Sequence, residues 1–223
     1  ILSASTSDDT IAWYENDGNV NPTWTAADIA TSANGAVTVF AADMDGDGDM
    51  DILSASELDN TIAWYENDGN ANPTWAAADV ATSAAGAQSV FAADMDGDGD
   101  MDILSASFND DTIAWYENDG NANPTWTAAD IATSADGAIS VFAADMDGDG
   151  DMDILSASAV DNTIAWYETA LAFTLTSSTP ATASNTVSLD SNITLTFDSP
   201  VKTSTLNASN IAITGINTCL LYT

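Results

Sequence analysis

Apolar and polar residues alternate along most of the chain with a period of two, in short runs separated by turn-forming residues. Residues 112–117 read Thr-Ile-Ala-Trp-Tyr-Glu. As a strand, this run puts Ile113, Trp115 and Glu117 on one face and Thr112, Ala114 and Tyr116 on the other. Residues 90–93 (Val-Phe-Ala-Ala), 103–107 (Ile-Leu-Ser-Ala-Ser) and 124–132 (beginning Pro-Thr-Trp) are three further strand-like runs. Between them lie Asn109-Asp110-Asp111 and Asn118-Asp119-Gly120-Asn121, residues that tolerate the positive φ of tight turns. No stretch between turns has the length and 3.6-residue periodicity of an amphipathic helix.

The pattern repeats. Thr-Ile-Ala-Trp-Tyr-Glu occurs four times, with Trp13, Trp64, Trp115 and Trp166 each 51 residues apart. Ile-Leu-Ser-Ala-Ser begins at Ile1, Ile52, Ile103 and Ile154, and Asn-Pro-Thr-Trp ends at Trp24, Trp75 and Trp126. Four strands in about 50 residues is the dimension of a β-propeller blade, whereas a parallel β-helix uses much shorter coils. The expected fold is therefore all-β. It comprises four-stranded blades over residues 1–168: a partial blade 1–38, blades 39–89 and 90–140, and a partial blade 141–168. Closed propellers have about four to eight blades, so this run is expected to be a piece of a longer protein, an open arc, or an array closed by other chains.

Composition sharpens the picture. The chain has 223 residues, with 35 acidic residues against one base, Lys202, and a formal net charge of -34. Nucleic acid and anionic membrane surfaces require clustered Lys or Arg and are excluded as partners. Cations, neutral sugars and basic or neutral proteins remain. With 45% hydrophobic residues and seven Trp the chain is not a disordered acidic segment, although a carboxylate-rich surface also suits high salt. Cys219 has no second cysteine to pair with, and no apolar run approaches the ~18 residues of a membrane span.

Fifteen of the 35 acids sit in three copies of Asp-Met-Asp-Gly-Asp-Gly-Asp-Met-Asp. The copies comprise Asp43, Asp45, Asp47, Asp49 and Asp51; Asp94, Asp96, Asp98, Asp100 and Asp102; and Asp145, Asp147, Asp149, Asp151 and Asp153. Five carboxylates on nine residues repel one another unless a cation lies between them. Hard oxygen donors in that number suit Ca²⁺, which accepts six to eight oxygens in irregular geometry. Mg²⁺ keeps its waters and Zn²⁺ prefers nitrogen or sulfur. About three calcium sites are expected. Side chains of loop positions 1, 3, 5 and 9 and the backbone carbonyl of position 7 would ligate, with Gly48 allowing the sharp turn. The loop is not an EF-hand: position 12 is Ser54, Ser105 or Ser156 rather than Glu, and both flanks read as strands.

These residues resemble the FG-GAP/VCBS repeat: the Asp loop followed by Ile-Leu, then Trp-Tyr-x-Asn-Asp-Gly-Asn and a further Trp. The family includes the calcium-loaded blades of integrin α-subunit propellers and many secreted bacterial proteins. The resemblance covers residues 1–168. It implies a β-propeller with Ca²⁺ in a hairpin loop of each blade, at the cell surface or outside the cell, serving adhesion, carbohydrate binding or a secreted enzyme. The phenylalanine-glycine and glycine-alanine-proline elements of the family are reduced here to Val-Phe-Ala-Ala. Residues 169–223 are rich in Thr, Ser and Asn. They show strand-like alternation at 186–189, 193–197 and 211–214, and resemble part of a bacterial Ig-like domain.

Three functions are weighed. A non-catalytic extracellular module for adhesion, scaffolding or display follows from the repeats and metal loops. A carbohydrate-binding propeller would use repeated aromatics, with Trp75 and Trp126 expected to be the more exposed, while the Trp and Tyr of the Thr-Ile-Ala-Trp-Tyr-Glu strands are expected in the core. An enzyme lacking His and Arg is left with carboxylate chemistry such as glycoside hydrolysis, yet every repeat carries the same carboxylates and none is singled out as a catalytic pair.

Overall fold

The computed structural model describes residues 1–169 and two strands of the C-terminal segment, Leu175–Thr179 and Thr194–Phe197. The first set folds into strands only. These are β1 (Leu2–Ser5), β2 (Thr10–Asn16), β3 (Trp24–Ala30), β4 (Ala36–Ala42), β5 (Asp51–Ser56), β6 (Thr61–Asn67), β7 (Trp75–Ala81), β8 (Ala87–Ala93), β9 (Asp102–Ser107), β10 (Thr112–Asn118), β11 (Trp126–Ala132), β12 (Ala138–Ala144), β13 (Asp153–Ser158) and β14 (Thr163–Tyr167). They form antiparallel meanders: two four-stranded sheets, β4-β5-β6-β7 and β8-β9-β10-β11, flanked by three-stranded β1-β2-β3 and β12-β13-β14. The all-β, blade-type expectation holds, with no helix among the described residues.

Each meander follows from its own residues. The hairpin after β5 turns at Asn60, which adopts φ 60°, and the same place is taken by Asp9, Asp111 and Asn162. Asx residues reach the left-handed region at lower cost than other non-glycine residues. They also staple one sheet to the strand that opens the next. Asp9 Oδ1 accepts the N–H of Gly35, Asn60 Oδ1 that of Gly86 and Asp111 Oδ1 that of Gly137, each at 2.9 Å. The opening strand is longer than its apolar run suggests. It begins at Ala36, Ala87 or Ala138, just past that glycine, and enters the ladder through a register shift between Ala36 and Thr38, Ala87 and Ser89, or Ala138 and Ser140.

Sheets pack face to face, and the period of two decides which neighbour each residue meets. On β6, Ile62 and Trp64 join one core with Val90, Ala92, Ile103 and Tyr116 of the following sheet. Ala63 and Tyr65 join another with Ile11 and Ala36. A third core holds Leu104, Ile113, Val141 and Ile154. Fully burying each of these aliphatic side chains stabilises by roughly 1.5–3 kcal/mol. Phe40, Phe91 and Phe142 stack on the opening strands, with ring centroids 4.8 and 4.6 Å apart.

The hairpin after the Trp strand is closed by its own side chains. Asp119 Oδ1 accepts the N–H of Asn121 at 3.2 Å and Oδ2 accepts the Thr125 hydroxyl at 2.5 Å. Asp17 with Thr23 and Asp68 with Thr74 repeat the arrangement at 2.6 Å. The threonine hydroxyl is the main reason these carboxyls sit low, Asp17 and Asp119 at about 2. A depressed folded-state pKa gives stability that is present above the ordinary carboxylate range and is lost as pH falls through about 2. Replacing Thr125 with Val is expected to return Asp119 toward its ordinary 3.8, which a carboxyl carbon-13 NMR titration would read directly.

The blade strands belong to one compact unit. The pair β15 (Leu175–Thr179) and β16 (Thr194–Phe197) belongs to a second. In that pair Leu175 lies opposite Phe197 and Thr179 opposite Thr194, antiparallel. The expected strand at 193–197 coincides with β16, while those at 186–189 and 211–214, with Cys219 and Lys202, lie outside the described residues.

Candidate metal centre

Each Asp loop joins the opening strand of a sheet to its second strand, so the ladder brings the two ends of the loop together: Ala42 pairs with Asp51 and Ala93 with Asp102. The ninth Asp is thus a strand residue, only 1% exposed at Asp51, Asp102 and Asp153. Its two oxygens are occupied by backbone donors. Asp102 Oδ2 accepts the N–H of Met95 at 3.0 Å and Oδ1 that of Asn118 at 2.8 Å. Asp51 does the same with Met44 and Asn67, at 3.1 and 2.8 Å. Asp153 does so with Met146 and Thr169, at 3.0 and 3.1 Å.

The first Asp shapes the turn. Asp43 accepts from Gly46 and Gly48 at 2.9 and 3.0 Å, and Asp94 from Gly97 and Gly99 at 2.8 and 3.1 Å. Gly48 and Gly99 adopt φ of 97° and 101°, a conformation that costs glycine little and other residues much. Asx turns from Asp45 to Asp47 and from Asp47 to Asp49 (3.2 and 2.9 Å) complete the first loop.

The result is a convergent group. Asp43, Asp45 and Asp51 each offer an oxygen within 4.8 Å of the others, as do Asp94, Asp96 and Asp102, and Asp145, Asp147 and Asp153. Positions 1, 3 and 9 of the predicted set therefore meet. The carboxylates of positions 5 and 7 (Asp47, Asp98 and Asp149; Asp49, Asp100 and Asp151) do not belong to these groups. At position 7 the side chain reaches back to the neighbouring hairpin: a Cβ placed on Gly69 or Gly120 would strike the carboxylate of Asp49 or Asp100.

Two consequences are electrostatic. Burial pushes the Asp102 carboxyl up to about 6, opposed by the Asn118 and Met95 N–H groups, and burial raises Asp51 in the same way. Asp45 and Asp96 are also raised, first by burial, then by their charged neighbours. Like charges held within 4.8 Å repel by roughly 3 kcal/mol per pair at an effective dielectric constant near 20. No Lys or Arg lies among residues 1–169 to offset this. A bound divalent cation would reverse the sign of the interaction. The all-oxygen donor set fits a hard cation and not zinc.

Sequence reasoning missed two participants. Met44 and Met95, flanked by Asp on both sides, are 1% and 5% exposed and anchor the loops in the inter-sheet cores. Asn118 sits 2% exposed, its Nδ2 donating to the Met44 carbonyl of the preceding loop at 2.8 Å and to Met101 at 3.0 Å. Spacing does not single out the position-2 Met, since Met50 and Met101 recur equally at position 8 and are exposed. No local signal marked Asn118, whose contact spans two repeats. Trp64 Nε1 approaches Asp51 and favours its charged form, yet it meets no acceptor at hydrogen-bonding geometry.

Meandering sheets packed one on the next, three of them carrying an acidic loop with converging carboxylates, define a bladed β-repeat protein. Residues 1–54, 43–105 and 94–156 each match the FG-GAP-like repeat, and the chain belongs to that family. Residues 169–220 match the bacterial Ig-like domain. Among curated proteins none matches the chain.

Proposed function

We propose that this chain is a non-catalytic, extracellular calcium-binding repeat module whose role is adhesion, scaffolding or surface display. The observation that carries this reading is the threefold convergence of positions 1, 3 and 9, each built on a buried Asp that ties the loop to its sheet. Calcium there is structural. It joins like charges that the fold already holds together, and it couples loop order to sheet stacking through Met44 and Asn118. Extracellular modules bind Ca²⁺ at about 10⁻⁴–10⁻³ M, a range filled outside the cell. No helix among the described residues is long and apolar enough to cross a membrane.

Support for the carbohydrate reading is weaker. Trp75 and Trp126, expected to be the exposed pair, are half-buried against the preceding sheet, and Trp126 makes an edge-on contact with Trp64 at 6.4 Å and 73°. These rings pack; they do not form an open sugar platform. Extracellular proteins and glycans remain the partner classes.

Trp64 and Trp115 lie beside the loop carboxylates Asp51 and Asp102, which makes terbium a direct probe. Tryptophan-sensitised terbium emission is expected, with millimolar Ca²⁺ displacing it and equal Mg²⁺ leaving most of it. Emission that never appears, or that Mg²⁺ and Ca²⁺ quench alike, would count against the proposal.

A further inference from the structure

Among the described residues, the indole Nε1–H of Trp64 and that of Trp115 are shielded from water and meet no acceptor. Trp64 is 3% exposed and Trp115 is half-buried. A buried donor without an acceptor is costly, because folding strips away its water and supplies no partner instead. The same atom is left over at the same place in both four-stranded sheets. It therefore belongs to the repeat and not to one irregular contact.

Sheet register fixes where these indoles lie. Trp64 stands opposite Leu53 on β5, and Trp115 opposite Leu104 on β9. Two residues before each leucine comes the ninth Asp of the loop, Asp51 or Asp102, on the same face of the strand. Each indole is thus the diagonal cross-strand neighbour of a buried carboxylate, a separation that aromatic side chains span. The Met at position 2 shares the neighbourhood. Met44 belongs to the core that holds Trp64, and Trp115 packs on the core that holds Met95. Against the burial that raises both carboxyls, Trp64 and Trp115 favour the charged forms of Asp51 and Asp102.

An ionised carboxylate has about four lone-pair sites. Asp51 uses two of them for the Met44 and Asn67 N–H groups, and Asp102 two for those of Met95 and Asn118. A cation in the loop takes a third. We infer that the fourth is reserved for the indole: with calcium bound, Trp64 donates its Nε1–H to Asp51 and Trp115 donates to Asp102. Each tryptophan is then a positioning residue that holds the ninth carboxylate toward the ion. This inference rests on the calcium reading. Removing a donor that orients a metal ligand typically weakens metal affinity by roughly 10–100-fold. The same bond ties occupancy of the loop to the inter-sheet core in which the indole is packed.

The test is proton–nitrogen NMR of the full chain, labelled with ¹⁵N at tryptophan and glycine and titrated with Ca²⁺. The amides of Gly46, Gly48, Gly97 and Gly99 report loop occupancy independently of the indoles. They are expected to shift together with the Nε1–H resonances of Trp64 and Trp115, which move downfield and exchange more slowly with solvent. Calorimetry on Trp64→Phe is expected to find the wild-type number of ions, one of them held roughly tenfold more weakly. Trp126→Phe is the packing control. It trims the ring that contacts Trp64 in the same core and is expected to leave every affinity unchanged. Glycine amides that respond while both indoles stand still would overturn the inference and leave the calcium sites in place. So would equal weakening by Trp64→Phe and Trp126→Phe, or no weakening by Trp64→Phe. If neither amides nor indoles respond to Ca²⁺, the inference falls together with the calcium reading.

Discussion

Replacing Asp102 with Ala is expected to destabilise the chain by about 3 kcal/mol or more even in the presence of a calcium chelator. The side chain is 1% exposed and accepts the Met95 and Asn118 N–H groups at 3.0 and 2.8 Å. Removing it leaves two buried backbone donors without an acceptor, each costing about 1–3 kcal/mol, and opens a void beside Met95. Asp98→Ala is the matched control. Asp98 is exposed and its side chain accepts only the Asp100 N–H at 3.0 Å, so its loss in chelator is expected to fall within about 0.5 kcal/mol. Urea unfolding of the two variants separates a backbone anchor from a loop carboxylate. Equal losses in chelator would contradict the anchor role of the ninth Asp.

The second large effect is chelation itself. One site that binds the folded state alone adds roughly 2.7 kcal/mol at a hundredfold excess over Kd. Three such sites add roughly 8 kcal/mol, comparable to the whole stability of an ordinary domain. A melting temperature measured in EGTA is expected to fall far below that in millimolar Ca²⁺. Equimolar Mg²⁺ is expected to restore only part of it, and NaCl at matched ionic strength less. If NaCl restored stability as fully as Ca²⁺, the acidic loops would be a solvation device and not a set of sites.

Much of the architecture is legible in the residues because its determinants are local. The 51-residue recurrence, the turn chemistry of Asn and Gly and the alternation within Thr-Ile-Ala-Trp-Tyr-Glu lead directly to meanders in which Trp64 and Tyr65 enter opposite cores. The opening strand was under-read because its polar start, Gln88 and Ser89, carries no apolar signal. Those residues are held by the neighbouring strands, where Thr38 donates to the Gln88 carbonyl and Val141 donates to the Ser89 hydroxyl oxygen. Trp75 and Trp126 are expected to be the more exposed aromatics because they follow a proline turn, and they are half-buried. The fourth strand lays their buried sides on the sheet before, a contact between repeats that no single repeat reveals.

The metal loop divides in the same way. Its acids and glycines mark a candidate cation site by spacing alone, and the geometry brings positions 1, 3 and 9 together. What spacing did not disclose is that position 9 is already committed to two backbone donors, one of them 16 residues further on. Nor did it show that position 2 is a buried anchor. Both depend on which strand pairs beside the loop and which sheet packs over it.

The central claim, three structural calcium sites, is tested most directly by isothermal titration calorimetry of Ca²⁺ into the chelator-stripped protein. The account predicts saturable binding of three ions per chain, one for each converging carboxylate group, with Asp51→Asn, Asp102→Asn and Asp153→Asn each removing one. Absence of saturable heat, or a stoichiometry unaltered by those substitutions, would contradict it.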